Sequence, residues 1–139
     1  MYIKKKNKLI TNNEYKIELN GNIAIDNLEF NIIQTEETDG NDICRLNSKD
    51  IKVPLYLRNK KDGDYIILKG SNNKKKIKEI FIEKKLPTHT RNTYPILVDS
   101  DDNILWIPNI KKSNFCIKKD EKDKNYDIIV KCEWKRGKL

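Results

Sequence analysis

Short apolar segments separated by polar turns run through most of the sequence, and they restrict the fold to one rich in β-strands. Glu14 to Leu19 and Leu28 to Thr35 alternate apolar and polar residues at period two, which is typical of half-buried strands. The polar residues 20–22 predict a turn before a short apolar run, Ile23 to Ile25. The first fifty residues therefore predict strands joined by turns.

Two hairpins are predicted further along the chain. Val53 to Leu57 and Asp64 to Leu68 flank a polar turn in which Gly63 would adopt a positive φ. Pro95 to Val98 and Ile104 to Ile107 flank the polar residues 99–103 and predict the second hairpin. The segments predicted as closing strands are Phe115 to Lys118 and Tyr126 to Cys132.

One segment changes to the helical period. The polar residues 71–73 supply N-cap candidates for a helix from about Lys74 to Lys85, which a proline follows. Ile77, Ile80 and Phe81 have the i, i+3, i+4 spacing of a buried stripe. These patterns together predict an α+β domain of mostly antiparallel strands with one main helix.

Length and composition set the domain organisation. The 139 residues fit one domain, which we place at residues 14–139, with residues 1–13 as a linker or the end of a preceding domain. No apolar stretch approaches a membrane span and no signal peptide is evident, so a cytoplasmic protein without membrane contact is expected. The three cysteines are widely spaced and predict neither disulfides nor a zinc site.

Catalytic and metal-binding patterns are weak in this sequence. The one histidine, His89, has no adjacent cysteine, and the five glycines never group into a nucleotide-binding loop. The acidic loop at Asp99, Asp101 and Asp102 lacks the glycine and distal glutamate of a calcium loop. We therefore predict no catalytic side chain and no metal site, and expect a binding surface.

The positive charge of the chain is concentrated in one segment. The net charge is +8, and residues 58–91 contribute +7 from eleven basic and four acidic side chains. In the predicted helix, Lys74, Lys75 and Lys76 would occupy the first turn, where the helix dipole disfavours cations. A phosphate bound at that helix start would relieve the conflict. Around the predicted helix, Lys74, Lys78 and Lys85 would form one basic edge, while Lys75 and Lys76 would lie on the flank of Glu79 and Glu83.

Residues 54 to 109 carry an ordered series of motifs. The series is Pro54-Leu55-Tyr56-Leu57-Arg58, Asp62-Gly63-Asp64-Tyr65, Gly70, Lys74-Lys75-Lys76-Ile77-Lys78, Lys85-Leu86-Pro87, Arg91, Pro95-Ile96-Leu97 and Ile104-Leu105-Trp106-Ile107-Pro108. In this order and spacing it resembles the C-terminal domain of bacterial tRNA(Ile)-lysidine synthases. The resemblance implies a fold like the module shared with the phenylalanyl-tRNA synthetase β subunit.

The resemblance also implies a function. Enzymes of this family are ATP-dependent ligases that attach lysine to the wobble cytidine of tRNA(Ile), and their C-terminal domain holds the acceptor-stem side of the tRNA. Their N-terminal domain carries a Ser-Gly-Gly-x-Asp-Ser loop that this sequence lacks. ATP and Mg²⁺ are accordingly expected in that domain, with no cofactor in this segment. The implied partners are tRNA(Ile) and the catalytic and helical domains of the same polypeptide, and a homodimer is left open.

The basic segment supplies the candidate tRNA contacts. They are Arg58, Lys60, Lys61, Ser71, Asn72, Asn73, Lys74, Lys75, Lys76, Lys78 and Arg91. Arg58 and Arg91 have an alternative role, because either could pair with Asp62 or Asp64 and fix the hairpin. For the segment as a whole, the alternative is a protein-interaction or intramolecular packing module whose lysines only keep it in solution.

Overall fold

The computed structural model describes residues 8–11 and 14–135, which form twelve strands and two short helices. The strands are β1 (Lys8–Thr11), β2 (Glu14–Leu19), β3 (Asn22–Ile25), β4 (Leu28–Ile33), β5 (Ile43–Leu46), β6 (Leu55–Arg58), β7 (Tyr65–Ile67), β8 (Lys74–Lys76), β9 (Ile96–Val98), β10 (Ile104–Ile107), β11 (Lys111–Lys112) and β12 (Ile128–Trp134). The helices α1 (Ile77–Glu83) and α2 (Thr88–Thr93) lie between β8 and β9. The predicted α+β class is confirmed.

The strands form two larger sheets and a hairpin. One sheet has the order β1-β2-β6-β9-β10-β11, the other has the order β3-β4-β12-β5, and β7 pairs with β8. The paired strands are antiparallel throughout. The chain changes sheet between β2 and β3 at Gly21, whose φ of 103° suits a residue without a side chain.

A single hydrophobic core contains side chains from both larger sheets and from α1. Phe30 of β4 meets Trp106 of β10 edge-on, with ring centroids 6.4 Å apart. The buried indole Nε1 of Trp106 donates a hydrogen bond to the carbonyl oxygen of Asn41, 3.0 Å away. Phe81 of α1 packs on the ring of Tyr94 at 5.7 Å. These contacts fix α1 and its connections against the six-stranded sheet.

One of the two predicted hairpins is confirmed. Ile96–Val98 and Ile104–Ile107 pair antiparallel, as their polar connection indicates. The other is wrong, because Leu55–Arg58 pairs with β2 and β9 and is an interior strand. Tyr65–Ile67 instead pairs with β8, although the turn before it does place Gly63 at a φ of 87°.

The predicted helix begins too early. Lys74–Lys76 is a strand, and α1 runs only from Ile77 to Glu83. Lys76 occupies the N-cap position with an extended backbone and no side-chain capping bond. The expected N-cap residues 71–73 belong to the β7–β8 turn. The buried stripe of Ile77, Ile80 and Phe81 is confirmed.

Other differences concern short elements. The segment predicted as a strand from Phe115 to Lys118 is irregular, and the Cys116 amide closes a turn onto the Ser113 carbonyl at 3.0 Å. No element was predicted from the sequence at β5, α2 or β11. Within the predicted linker, residues 8–11 form β1 against β2, whereas residues 1–7 and 12–13 lie outside the described residues.

Candidate nucleic-acid interface

The hairpin formed by β7, β8 and the connecting residues 68–73, here called the lysine hairpin, divides the three lysines of β8 between two faces. Tyr65 lies opposite Lys76, and Ile67 lies opposite Lys74. Because side chains alternate along a strand, these four share one face, while Lys75 lies on the other face with the buried Ile66. The run of three lysines is therefore not one continuous patch.

The two faces differ in their charge partners. Lys75 Nζ binds the carboxylate of Glu83 on α1 at 2.7 and 2.9 Å, so its charge is largely compensated. Lys74 Nζ lies 4.2 Å from the centroid of the exposed Tyr65 ring. Within residues 8–11 and 14–135, the exposed ammonium groups of Lys76 and Lys78 form no ion pair. Lys74, Lys76 and Lys78 thus remain available to an anion.

The turn of the lysine hairpin is built by two left-handed residues. Gly70 has a φ of 94° and Asn72 a φ of 60°, and the Leu68 amide donates to the Asn73 carbonyl oxygen at 2.9 Å. The Ser71 hydroxyl accepts a hydrogen bond from the Asn73 amide at 3.2 Å. All three polar candidates, residues 71–73, are exposed beside the lysines. The expected phosphate site at a helix start is wrong, because Lys74–Lys76 is a strand.

Of its two alternative roles, Arg58 takes the structural one, because its buried guanidinium pairs with two carboxylates and does not face solvent. Its guanidinium binds both carboxylate oxygens of Asp64, at 2.9 and 3.2 Å, and its Nε donates to Asp102 at 3.0 Å. The side chain is only 1% exposed, so it cannot reach a phosphate on the surface. Burial alone would lower the pKa of Arg58, but the two carboxylates outweigh burial and raise it.

The remaining candidates are Lys60, Lys61 and Arg91. Lys61 Nζ binds Asp102 at 2.9 Å, and Lys60 is half-buried. Burial acts to raise the pKa of Asp102, but Lys61 and Arg58 together lower it below its usual range. Arg91, on α2, donates from Nε to the carbonyl oxygen of Leu86 at 2.8 Å. These contacts place Arg58 and Lys61 in a structural network and leave Lys74, Lys76 and Lys78 as the exposed cations among the candidates.

A family model described as the TilS substrate C-terminal domain matches residues 55–130, more than half of the chain. The chain belongs to the TilS C-terminal domain family. The match includes the lysine hairpin, both helices and the Arg58 cluster.

Curated relatives and a solved structure agree with this membership. The tRNA(Ile)-lysidine synthase of Bacillus subtilis is 47% identical over 79 residues, which are 57% of this chain and 17% of that protein. The enzyme of the same name from Bacillus licheniformis is 43% identical over 81 residues, covering 58% and 17%. The bifunctional protein TilS/HprT of Listeria innocua is 36% identical over 108 residues, covering 73% and 16%. A crystal structure of a TilS C-terminal domain superposes with a TM-score of 0.77 and 30% identity, covering 87% of this chain and 97% of that one.

The aligned part of this TilS C-terminal domain thus spans about one sixth of the curated relatives' length. Neither helix of residues 8–11 and 14–135 is long and apolar enough to cross a membrane.

The acidic loop of residues 99–102 has a structural role. The buried carboxylate of Asp99 accepts the amides of Lys52, Asp101 and Asn103 at 2.9 to 3.1 Å, and so holds the β9–β10 turn.

Two side chains of this TilS C-terminal domain were missed as site residues. Tyr65 places an exposed ring beside Lys74, and Asp102 joins Arg58 and Lys61 from 44 and 41 positions away in the chain. An aromatic residue in the apolar run from Tyr65 to Leu68, close in sequence to the lysines, was a usable signal for the first. No local signal connects Asp102 to Arg58, because their pairing depends on how the strands are ordered.

Proposed function

We propose that this chain is the tRNA-binding C-terminal domain of a tRNA(Ile)-lysidine synthase, the ligase that attaches lysine to the wobble cytidine of tRNA(Ile) at the expense of ATP. The domain holds the acceptor-stem side of the tRNA while the anticodon reaches the catalytic domain. The family membership and the names of the relatives support the parent enzyme. The observation that carries tRNA binding is the uncompensated face of the lysine hairpin.

The contact surface is smaller than the sequence alone predicts. Its cations are Lys74, Lys76 and Lys78, with the polar residues 71–73 beside them as neutral donors. Lys60 and Arg91 are peripheral members of the surface, while Arg58, Lys61 and Lys75 are held by carboxylates. A-form RNA is recognised mainly through its phosphates and 2′-hydroxyls, which lysine, serine and asparagine side chains suit.

The rest of the proposed reaction belongs to other domains of the same polypeptide. The pyrophosphate loop Ser-Gly-Gly-x-Asp-Ser does not occur in this sequence, so we assign ATP and Mg²⁺ to the N-terminal catalytic domain. No side chain of this chain takes a catalytic role in the proposal. Supplied with ATP, lysine and tRNA(Ile), the chain should release no pyrophosphate. The catalytic and helical domains are its proposed intramolecular partners, in the cytoplasm.

Salt-dependent binding of tRNA(Ile) tests the surface. The test variant is Lys74→Glu/Lys76→Glu, and the matched control is Lys122→Glu/Lys124→Glu, which makes the same charge change on exposed residues of the loop between β11 and β12. Loss of two phosphate contacts should reduce the slope of log K against log salt by about 2, and weaken binding roughly 60-fold at 0.1 M salt. The control should change affinity much less.

Two results would contradict the proposal. Equal losses in the test and control variants would mean that overall charge, not this face, governs binding. An unmodified chain without salt-dependent affinity for tRNA would favour the protein-interaction or packing module instead. Circular dichroism of both variants verifies that the fold is retained, since all four lysines are exposed.

A further inference from the structure

A cleft opens on the Tyr65 side of the lysine hairpin. Tyr65 and Ile67 of β7 line it, together with Phe115 and Asn114, whose backbone amide donates to the Ile67 carbonyl oxygen at 2.9 Å. Its volume is about 300 Å³, at the lower end of the range for small-molecule sites in proteins. The cleft therefore has room for a ligand the size of a single aromatic heterocycle.

Two lysines flank the aromatic ring that lines the cleft. The Tyr65 side chain is 44% exposed, although large apolar side chains in this domain are mostly buried. Lys74 and Lys76 share its face of the hairpin, and Lys74 Nζ is 4.2 Å from the ring centroid. A ring for stacking and ammonium groups for phosphates thus stand on adjacent positions, as in proteins that bind single-stranded nucleic acids.

The acidic side chains at the cleft do not oppose an anionic ligand. Asp64 and Asp102 both line it, but Arg58 binds both carboxylates and Lys61 binds the second. Their charges are therefore neutralised within the protein. Asn114 is exposed at the cleft; its side-chain Nδ2 donates to Asn72 Oδ1 at 3.4 Å, and its Oδ1 offers an acceptor to a polar ring edge.

We propose that this cleft binds an unpaired RNA nucleobase, which stacks on Tyr65 while Lys74 and Lys76 contact phosphates of the same strand. The inference rests on the proposed function and adds a single-stranded element to a surface otherwise suited to duplex RNA. The positive charge of Lys74 and Lys76 favours a nucleic acid over a protein as the ligand. A nucleotide brings phosphates that can pair with both lysines, whereas an aromatic side chain of a protein brings no such charge. Stacking tolerates any base, so the cleft reads the presence of an unpaired nucleotide and not its identity.

Three RNA probes separate base stacking from phosphate binding. They are a blunt duplex, the same duplex with a single-stranded 3′ overhang, and that overhang made of abasic nucleotides. The abasic probe keeps every phosphate and removes only the bases. The unmodified chain should bind the overhang probe about tenfold more tightly than the other two, as expected for one stacked base.

Substitutions of Tyr65 locate the effect. Tyr65→Ala should bring the overhang probe down to the affinity of the abasic probe, whereas Tyr65→Phe should keep the preference. The control Trp134→Ala removes a more exposed aromatic side chain, 62% exposed on β12, and should leave all three affinities unchanged. A 2-aminopurine placed in the overhang should be quenched on binding, and that quenching should vanish in Tyr65→Ala.

The outcomes distinguish the two proposals. Equal affinity for all three probes, with a steep salt dependence, would overturn the nucleobase cleft and leave the proposed function standing. The same follows if Tyr65→Ala retains the preference for the overhang. Absence of binding to every probe and to tRNA(Ile) would overturn both proposals together.

Discussion

Arg58→Met replaces the buried guanidinium by an unbranched side chain that can occupy much of the same space. It removes the two hydrogen bonds to Asp64, the bond to Asp102 and a further bond to the Asn59 carbonyl. Asp102 keeps Lys61 at 2.9 Å, whereas the carboxylate of Asp64, only 11% exposed, keeps the backbone amide of Lys61. The loss therefore falls mainly on one buried carboxylate.

The size of the effect follows from that geometry. Removing one partner of a buried ion pair costs about 3 to 5 kcal/mol, and the surviving contacts of Asp102 favour the lower limit. We expect the free energy of unfolding to fall by about 3 kcal/mol. With a urea m-value of about 2 kcal/mol/M for a domain of this size, the unfolding midpoint shifts by about 1.5 M.

Urea unfolding followed by tryptophan fluorescence measures this shift, since Trp106 is fully buried. Lys60→Met is the matched control on a half-buried neighbour and should change stability by less than about 0.5 kcal/mol. The double variant Arg58→Met/Asp64→Leu should lose less than the sum of its single variants, because no unpaired charge remains between the two positions.

Binding of tRNA supplies the refuting result. Where Arg58→Met is folded, its affinity for tRNA(Ile) should match that of the unmodified chain. A stability change below about 0.5 kcal/mol, together with a clear loss of affinity, would show that Arg58 contacts phosphate and would refute the structural role. If Arg58→Met does not fold, Asp64→Asn tests the same ion pair from the other side.

Two further predictions concern titratable groups. Hydrogen bonds from Thr38 and then Lys131 lower the pKa of Glu36 from 4.5 to about 2, so the stability it contributes is complete above about pH 4.5 and is lost as the pH falls towards 2. Between about pH 5 and 3, the free energy of unfolding measured in urea should fall less steeply with acid in Glu36→Gln than in the unmodified chain. An equally steep fall in the variant would contradict the role of Glu36. Burial raises the pKa of the Cys44 thiol, which lies 3.4 Å from that of Cys116. Because both thiols are buried, both should react slowly with a thiol reagent in the native protein and rapidly in urea, and fast reaction in the native protein would contradict their burial.

Local sequence patterns predicted where strands occur better than they predicted which strands pair with each other. The bounds of Glu14–Leu19 match the prediction because alternation records which face of a strand is buried. The hairpin of Ile96–Val98 and Ile104–Ile107 is equally local, since one polar turn joins its strands. Leu55–Arg58 pairs with strands that are distant in sequence, and no short-range pattern states which they are.

Lys74–Lys76 was predicted as the start of a helix but is a strand, and residue type alone explains the error. Serine and asparagine are favoured both at helix N-caps and in turns, so residues 71–73 fitted either structure. The left-handed backbone of Gly70 and Asn72 selects the turn, and Lys74–Lys76 then completes a ladder with β7. The basic character of the surface was predictable, whereas the separation of Lys75 from its two neighbours required the strand geometry.

Arg58 illustrates the same limit for the candidate site. From the sequence, Arg58 could either bind phosphate or pair with Asp62 or Asp64, and the structure shows that it pairs with Asp64. Its second partner, Asp102, comes from the β9–β10 turn and could be found only once β6 and β9 were known to be neighbours. Burial, which decides between the two roles, is a property of the assembled core.

The position of β12 has a consequence for synthesis on the ribosome. This strand, Ile128–Trp134, lies between β4 and β5, and therefore joins strands that leave the ribosome well before it. At typical elongation rates, the 82 positions from Leu46 to Ile128 take roughly 4 to 16 s to translate. During that interval β4 and β5 each lack a neighbour and expose an unpaired edge. A ribosome that stalls there would hold a nascent chain whose open edges can pair with another chain, so translation speed through this segment should affect the yield of folded protein.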